Sequence, residues 1–392
     1  MPLNRKAPPV STRYGFVSTY PPTVCGLATF TASLFAELVP AGSQSGGVIR
    51  LLDTAQPPAG SRSGPMPGKE AIGDLVAGDS TSRERAAGLL NHSDIAIVQH
   101  EYGVYGGPDG DEILSLLGAL RVPSIVVLHT VLVTPTDHQR EVLEAVVSLA
   151  DAVVTMTVTA RDRLAGSYEV DMSKVSVIPH GAPAVRASFA PIFRTGRPTV
   201  LTWGLLGPGK GIEWGIEAMS ALGDLYPAPR YVIAGQTHPK VLIREGESYR
   251  RRLIEQVRQL SLTATVSFDS RYRDGAALAE LVDTADVILL PYDSTDQVTS
   301  GVLIEAVAAL KPVVATAFPH AVELLGNGAG LVVPHRDPAA IAGALRTLLT
   351  RRDVAAGMTR TAAATAPELF WPAVAQRYRE LAETLIRARV AA

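Results

Sequence analysis

The stretch Asp286–Thr316, DVILLPYDSTDQVTSGVLIEAVAALKPVVAT, decides how the rest of the chain is read. Asp286–Pro291 carries a continuous apolar run, the pattern of a parallel strand buried on both faces. A polar loop, Tyr292–Gln297, follows it. Thr299, Ser300 and Gly301 then open a helix through Leu310, with Thr or Ser as N-cap. Pro312–Thr316 reads as the next strand. Strand, loop and helix start make an anion site, because first-turn amides lack intrahelical partners and the helix dipole favours negative charge there. Gly301 lets a phosphate approach the backbone closely. Glu305 lies about one turn into the helix, where a carboxylate can take the two vicinal hydroxyls of a ribose. The plainer alternative is an ordinary α/β unit in which Glu305 is a first-turn acid. Five residues after Ser300, Glu305 is not at the capping-box position.

Composition bounds the rest. The chain has 392 residues, 47% hydrophobic and 19% charged, enough for a sizeable core and two or three domains. A net charge of −2 gives no overall basic field, so nucleic acid is not an expected partner. The single cysteine, Cys25, excludes an intrachain disulfide framework and a cysteine-rich metal site. It is expected to be a small packing residue, since no base stands beside it in sequence. No apolar run reaches the length of a membrane span, and Met1–Arg13 has no apolar signal core. The expectation is a soluble, cytoplasmic protein, with a peripheral membrane contact left open.

Outward from the central stretch, strands and helices alternate along the whole chain. The first half reads as strands at Tyr14–Ser18, Gly47–Asp53, Asp94–Gln99, Val122–Leu128, Ala152–Thr155 and Lys174–Ile178. Helices are expected at Ala28–Leu38, Asp137–Leu149 and Thr159–Ala165. Pro57–Gly68 is a long Pro/Gly/Ser loop. Polar groups at the carboxyl ends of parallel strands mark where open α/β sheets place ligands. That singles out Gly26 in the first loop, His100 and Glu101 after the third strand, and His129 after the fourth. Each has a plainer reading as a loop cap or a satisfied structural residue. Ala182–Pro198 lacks periodicity and reads as the interdomain linker.

The pattern then restarts with strand Thr199–Trp203, loop Gly204–Gly211 (GLLGPGKG) and helix Ile212–Leu222. Strand Arg230–Ala234, helix Glu245–Leu260, strand Thr265–Asp269 and helix Asp274–Thr284 lead to the central unit. Gly330–Val333, helix Pro338–Leu349 and helix Phe370–Val390 close the chain. Two βαβ halves of similar size argue for α/β class with two doubly wound domains. Lys210, between glycines before a helix, is a phosphate-clamp candidate beside Gly209, although GPGKG lacks the GxxxxGK[ST] spacing of a P-loop.

With these motifs, the sequence resembles the retaining glycosyltransferases of family 4, from Tyr14 to the C-terminus. The G-x5-K-G loop runs from Gly204 to Lys210–Gly211. The second glutamate of the family's E-x7-E motif matches Glu305, and Lys311-Pro312-Val313-Val314 matches the strand after it. Pro179-His180-Gly181 stands where the family has P-N-G, and His129 matches its active-site histidine. CGLATF, QHEYG and LHT are similar to a bacterial branch associated with mannosyl transfer. The resemblance implies a GT-B fold, two Rossmann-like domains facing a cleft. Its N-terminal acceptor domain would be 1–183 plus the helix 370–392, and its donor domain 184–369.

The resemblance further implies transfer of a hexose, mannose first, from a nucleotide diphosphate sugar to a hydroxyl of a saccharide or glycoside. GDP-mannose is the favoured donor, with UDP-sugars open. No metal or other cofactor is obligatory. The implied catalytic residues are His129, Lys210, Gln297 and Glu305. Gly209, Lys210, Ser300, Gly301, Val302, Leu303 and Glu305 would bind the nucleotide diphosphate, and Gly26, His100 and Glu101 would contact acceptor or donor sugar. Two departures stand out. Gln297 replaces the first glutamate of E-x7-E, and Leu205 replaces a frequent arginine, unless Arg271 or Arg273 substitutes for it. The alternatives are another GT-B enzyme, such as a sugar-nucleotide epimerase, or a non-catalytic sugar-nucleotide-binding protein.

Overall fold

A computed structural model of the chain describes residues 12–53, 69–184, 196–271, 273 and 275–391. The expected loop Pro57–Gly68 and most of the expected linker lie outside them. The chain divides into two compact units. The first comprises Met1–Met156, Arg161–Ile178 and Ala375–Ala392. The second comprises Thr157–Ala160 and Pro179–Val374.

Among the described residues the first unit holds a seven-stranded parallel sheet. Its strands are β1 (Tyr14–Ser18), β2 (Gly46–Leu52), β3 (Ala71–Val76), β4 (Ile95–His100), β5 (Ser124–Leu128), β6 (Ala152–Thr155) and β7 (Val175–Val177), in the order 3-2-1-4-5-6-7. The second unit holds β8 (Thr199–Trp203), β9 (Arg230–Ala234), β10 (Val266–Asp269), β11 (Val287–Leu290), β12 (Val313–Thr316) and β13 (Gly330–Val333). Their order is 10-9-8-11-12-13, also parallel throughout. Each sheet reverses its winding once, the doubly wound arrangement of Rossmann-like domains. β4, β5, β8 and β11 are buried at every residue, because helices cover both faces of such a sheet.

In the second unit the apolar core lies on both faces of this sheet. One face packs Leu289, Val200 and Ile233 against helices Ile212–Met219 and Pro338–Thr350. The other packs Ile288, Leu290 and Leu201 against helix Gly301–Ala308. The last helix, Trp371–Ala391, contributes its Ala375–Ala391 part to the first unit. There Arg377 donates to the Val177 carbonyl at 2.6 Å and Arg389 to the Arg121 carbonyl at 2.7 Å.

Several elements differ from the sequence reading. Expected helix Glu245–Leu260 is found at Ser248–Gln259, and an unanticipated helix, Pro239–Glu245, precedes it and is closed by Gly246 (φ 59°). Helix Gly301–Ala308 stops short of Leu310, which has φ 58°. β3 and helices Ser80–Leu90, Glu112–Gly118 and Arg352–Leu369 were not anticipated. In the last, the buried stripe is Ala355, Met358, Ala362, Ala366 and Leu369. Mostly alanines carry the 3.6-residue period there, so hydropathy contrast is low. Cys25 is a half-exposed N-cap rather than a packing residue; its Sγ accepts from the Ala28 amide at 3.4 Å.

Leu289 lies at the centre of the second core with no exposed surface. Leu289→Ala should cost about 2–5 kcal/mol, from lost transfer energy and a residual cavity, read as a lower urea midpoint at unchanged slope.

Candidate functional site

At the point where a doubly wound sheet reverses, the loops leaving its two central strands diverge and leave a crevice at their carboxyl ends. In the second unit these strands are β8 and β11, paired at Val200–Val287 and Leu201–Ile288. The loops leaving them, Gly204–Gly211 and Pro291–Ser300, carry the expected donor-site residues.

The first loop depends on its glycines. Gly204, Gly209 and Gly211 have φ of 125°, 87° and 58°. A Cβ on Gly211 would overlap the carbonyl oxygen of Pro291, so the two loops approach backbone to backbone. The Asp293 amide donates to the Gly209 carbonyl at 2.9 Å and ties them together. Lys210 stands between these contacts, its ammonium 4.1 Å from the centre of the Tyr292 ring.

Helix Gly301–Ala308 starts from the second loop. Ser300 is its N-cap, the hydroxyl oxygen accepting from the Leu303 amide at 3.2 Å. The Ser300 amide donates to His320 Nδ1 at 2.8 Å. Of the four backbone amides expected to face an anion, Ser300 and Leu303 are therefore already used within the protein. Gly301 and Val302 are the pair at the helix start not engaged in this way. Thr299 Oγ1, beside them, is buried and has no hydrogen-bond partner. Gly301 is required here, since a Cβ would press against the His180 imidazole, 2.9 Å from Nε2. His180 Nδ1 donates to the Gly181 carbonyl at 2.7 Å, and the Trp371 ring lies 5.6 Å away. Burial lowers the pKa of His180 to about 4 and, together with nearby His180, that of His320 to about 3. Both rings are neutral near pH 7, which is what lets His320 Nδ1 accept.

One turn into the helix, Glu305 accepts from Trp203 Nε1 at 3.3 Å. Burial pushes its carboxyl up to about 7, against the pull of the Trp203 N–H. Gln297 donates from Nε2 to the Thr299 carbonyl at 3.0 Å, and its backbone carbonyl accepts from the His320 amide at 3.4 Å. A glutamate at 297 could not make the first of these bonds. Asp293 is paired with Arg336 at 2.6 Å. Arg271 and Arg273 both face Asp269 at the end of β10, whose carboxyl they hold well below the usual carboxylate range.

In the first unit, His129 Nε2 lies 2.7 Å from Gln99 Oε1, and its ring meets the edge of Phe30 at 5.0 Å. Thr130 donates to Glu101 at 2.6 Å. His129, Thr130 and Glu101 thus gather at the carboxyl ends of β4 and β5. His100 differs: it is buried, its Nδ1 has no partner, and burial pushes it down to about 4. Gly26 is exposed at the first position of helix Gly26–Leu38, with open space where a Cβ would stand. No cluster able to hold a metal ion occurs among the described residues, and no helix of the structure is long and apolar enough to cross a membrane.

Trp203, Tyr292, His180 and His320 were not anticipated as site residues, and Thr299 was expected there only as an alternative N-cap to Ser300. Trp203 and Glu305 are 102 positions apart, so only the sheet order brings them together.

Comparison with known proteins bears on this same region. Residues 186–365 match the family described as glycosyl transferases group 1. That span contains Lys210, Gln297, Ser300 and Glu305. A D-inositol 3-phosphate glycosyltransferase of Kineococcus radiotolerans is 30% identical over 276 residues, 63% of this chain and 60% of that protein. A glycogen synthase of Mycobacterium tuberculosis is 30% identical over 217 residues, 55% of this chain and 49% of that protein. The chain thus spans between half and about 60% of the length of these relatives. Among solved structures, Anabaena HepE in complex with UDP and glucose superposes with a TM-score of 0.72 at 15% identity, covering 95% of this chain and all of that one. Sucrose-phosphate synthase of Thermosynechococcus elongatus gives 0.69 at 19% identity, covering 96% and 100%. The fold is that of the GT-B glycosyltransferases, two Rossmann-like domains with parallel sheets.

Gly211→Ala should cost about 2 kcal/mol or more, because it combines a left-handed φ with a clash against backbone, and calorimetry should show the loss. A carboxyl whose pKa rises from 4.5 to about 7 on folding weakens the fold as pH climbs through that interval, since the unfolded chain gives up its proton first. Glu305→Gln should therefore raise Tm at pH 8 and change it little at pH 4. A fall at pH 8 would mean that the fold favours the carboxylate.

Proposed function

We propose that this protein is a retaining glycosyltransferase that moves a hexose from a nucleoside diphosphate sugar to a hydroxyl of a saccharide or glycoside. The observation that carries the reading is that the loops leaving β8 and β11, and the helix that follows, carry an uncompensated lysine, two helix-start amides and a buried carboxyl group. These are complementary to a diphosphate and a ribose. The family match over the same residues supports it.

In this reading the Gly301 and Val302 amides, the Thr299 hydroxyl and Lys210 take the diphosphate, and Glu305 takes the ribose hydroxyls. As the sugar's C1–O bond breaks, negative charge builds on the departing phosphate oxygen. Lys210 and the fixed amides stabilise it there without reorganising. The acceptor oxygen bonds to C1 on the face the leaving group vacates, which retains configuration. Its proton passes to the departing phosphate oxygen, so no strong protein base is needed. In the first unit His129, Glu101 and Thr130 are the candidates for sugar contacts. Gln297 offers its side-chain oxygen to the sugar. The single lysine and two amides make a weaker phosphate clamp than one that also holds an arginine at 205.

The likeness of CGLATF, QHEYG and LHT to mannosyl-transferring sequences favours GDP-mannose. HepE, seen with UDP and glucose, makes UDP-glucose the first alternative. Leu205 and Gln297 favour a second reading, a protein that binds the sugar nucleotide without transferring it.

A thermal-shift panel of sugar nucleotides on wild type, Lys210→Ala and Glu305→Ala tests this. A ligand bound only by the folded protein stabilises it by about 2.7 kcal/mol at a hundredfold excess over Kd. One nucleotide should raise Tm of the wild type and of neither variant. If none does, or the variants respond equally, the donor site is misassigned. Binding without release of nucleoside diphosphate on any acceptor would favour the second reading.

A further inference from the structure

Lys210 is held in an unusual way. Among the described residues no carboxylate pairs with it. Its ammonium rests instead on the Tyr292 ring, 4.1 Å from the centroid. The alternative way to hold a lysine is an ion pair, which would fix the side chain but cancel the charge an anion needs. A ring quadrupole fixes it and leaves the charge uncancelled. A free lysine would instead give up about 2 kcal/mol of rotamer entropy when an anion ordered it.

The platform is itself over-determined. The Tyr292 carbonyl accepts from Thr316 Oγ1 at 2.5 Å and from His335 Nδ1 at 2.8 Å. The following amide, of Asp293, is bonded to Gly209, one residue before Lys210. The Tyr292 ring stacks on Phe318, centroids 5.0 Å apart and planes 28° apart, which leaves the opposite face for the ammonium. Tyr292 is 1% exposed, so its ring has little freedom to move away. Loop, ring and lysine are therefore held by the protein's own contacts.

We propose that Tyr292 is the positioning residue for Lys210: its ring face holds the ammonium, uncompensated, where the anionic leaving group of the donor binds. The identity of that anion as a nucleoside diphosphate rests on the function proposed above. The positioning itself does not.

The sequence holds six lysines, so a 13C-lysine-labelled sample gives few Hε–Cε signals, and Lys210→Arg identifies the one from Lys210. That signal should be shifted upfield by the ring in wild type and in Tyr292→Phe, and should move to the ordinary position in Tyr292→Leu. By calorimetry, Kd for UDP or GDP should rise about fivefold in Tyr292→Leu and stay within about twofold in Tyr292→Phe, the order expected of one partly desolvated cation–π contact. Tyr292→Met replaces the leucine variant should the latter lose its thermal transition. A Lys210 signal unmoved by loss of the ring would overturn the proposal. So would unchanged nucleotide affinity once the signal has moved. If wild type binds neither UDP nor GDP, the function proposed above fails, and the Lys210 signal alone decides whether the ring holds the ammonium.

Discussion

The pairing of β8 with β11 is the constraint on which the second unit depends. Parallel neighbours in a sheet whose winding reverses between them send their following loops apart, and neither loop can fill the space at the strand ends. The loops instead meet at a single point, where Gly211 lies against the Pro291 carbonyl and the Asp293 amide reaches Gly209. Every side chain of the candidate donor site is placed relative to that point. Lys210 sits within it, Tyr292 beside it, and the helix carrying Glu305 starts at the end of the second loop.

The site is built at a cost to stability. Glu305 is buried against one indole N–H, and its pKa near 7 is the sign that the fold opposes its charge. Thr299 Oγ1 is buried without a partner, and two histidines are kept neutral around the helix start. Glu305 and the Thr299 hydroxyl would gain from a ligand that presents hydroxyls and phosphate oxygens, as the proposed function requires.

Much of this was legible in the sequence, for physical reasons. Buried parallel strands read as unbroken apolar runs, and Val287–Leu290 could hardly have been anything else. Lys210 was marked by its glycines and Ser300 by its capping chemistry. The features that escaped share a cause: they are set by tertiary neighbours. Trp203 reaches Glu305 through sheet order, His180 reaches Gly301 from 121 positions earlier, and His320 takes an amide that sequence alone would leave to an anion. Helix Arg352–Leu369 escaped because alanine carries most of its buried stripe. Cys25 escaped because a thiol is a rare choice for an N-cap.

The two departures from the resembled family now differ in weight. Gln297 has a structural reason: its side-chain N–H supports the Thr299 carbonyl, a bond a carboxylate cannot donate, in the segment that leads into the helix start. Loss of charge at 297 is thus coupled to the shape of the loop beneath it. Leu205 has no such compensation. Arg271 and Arg273, which could have substituted for it, are turned to Asp269. A diphosphate here would meet one lysine and neutral dipoles rather than two cations. That places more of the burden on how firmly the lysine is held, and a rigid aromatic face holds it without weakening its field. Pre-organisation of a single charge can then do part of what a second charge does elsewhere.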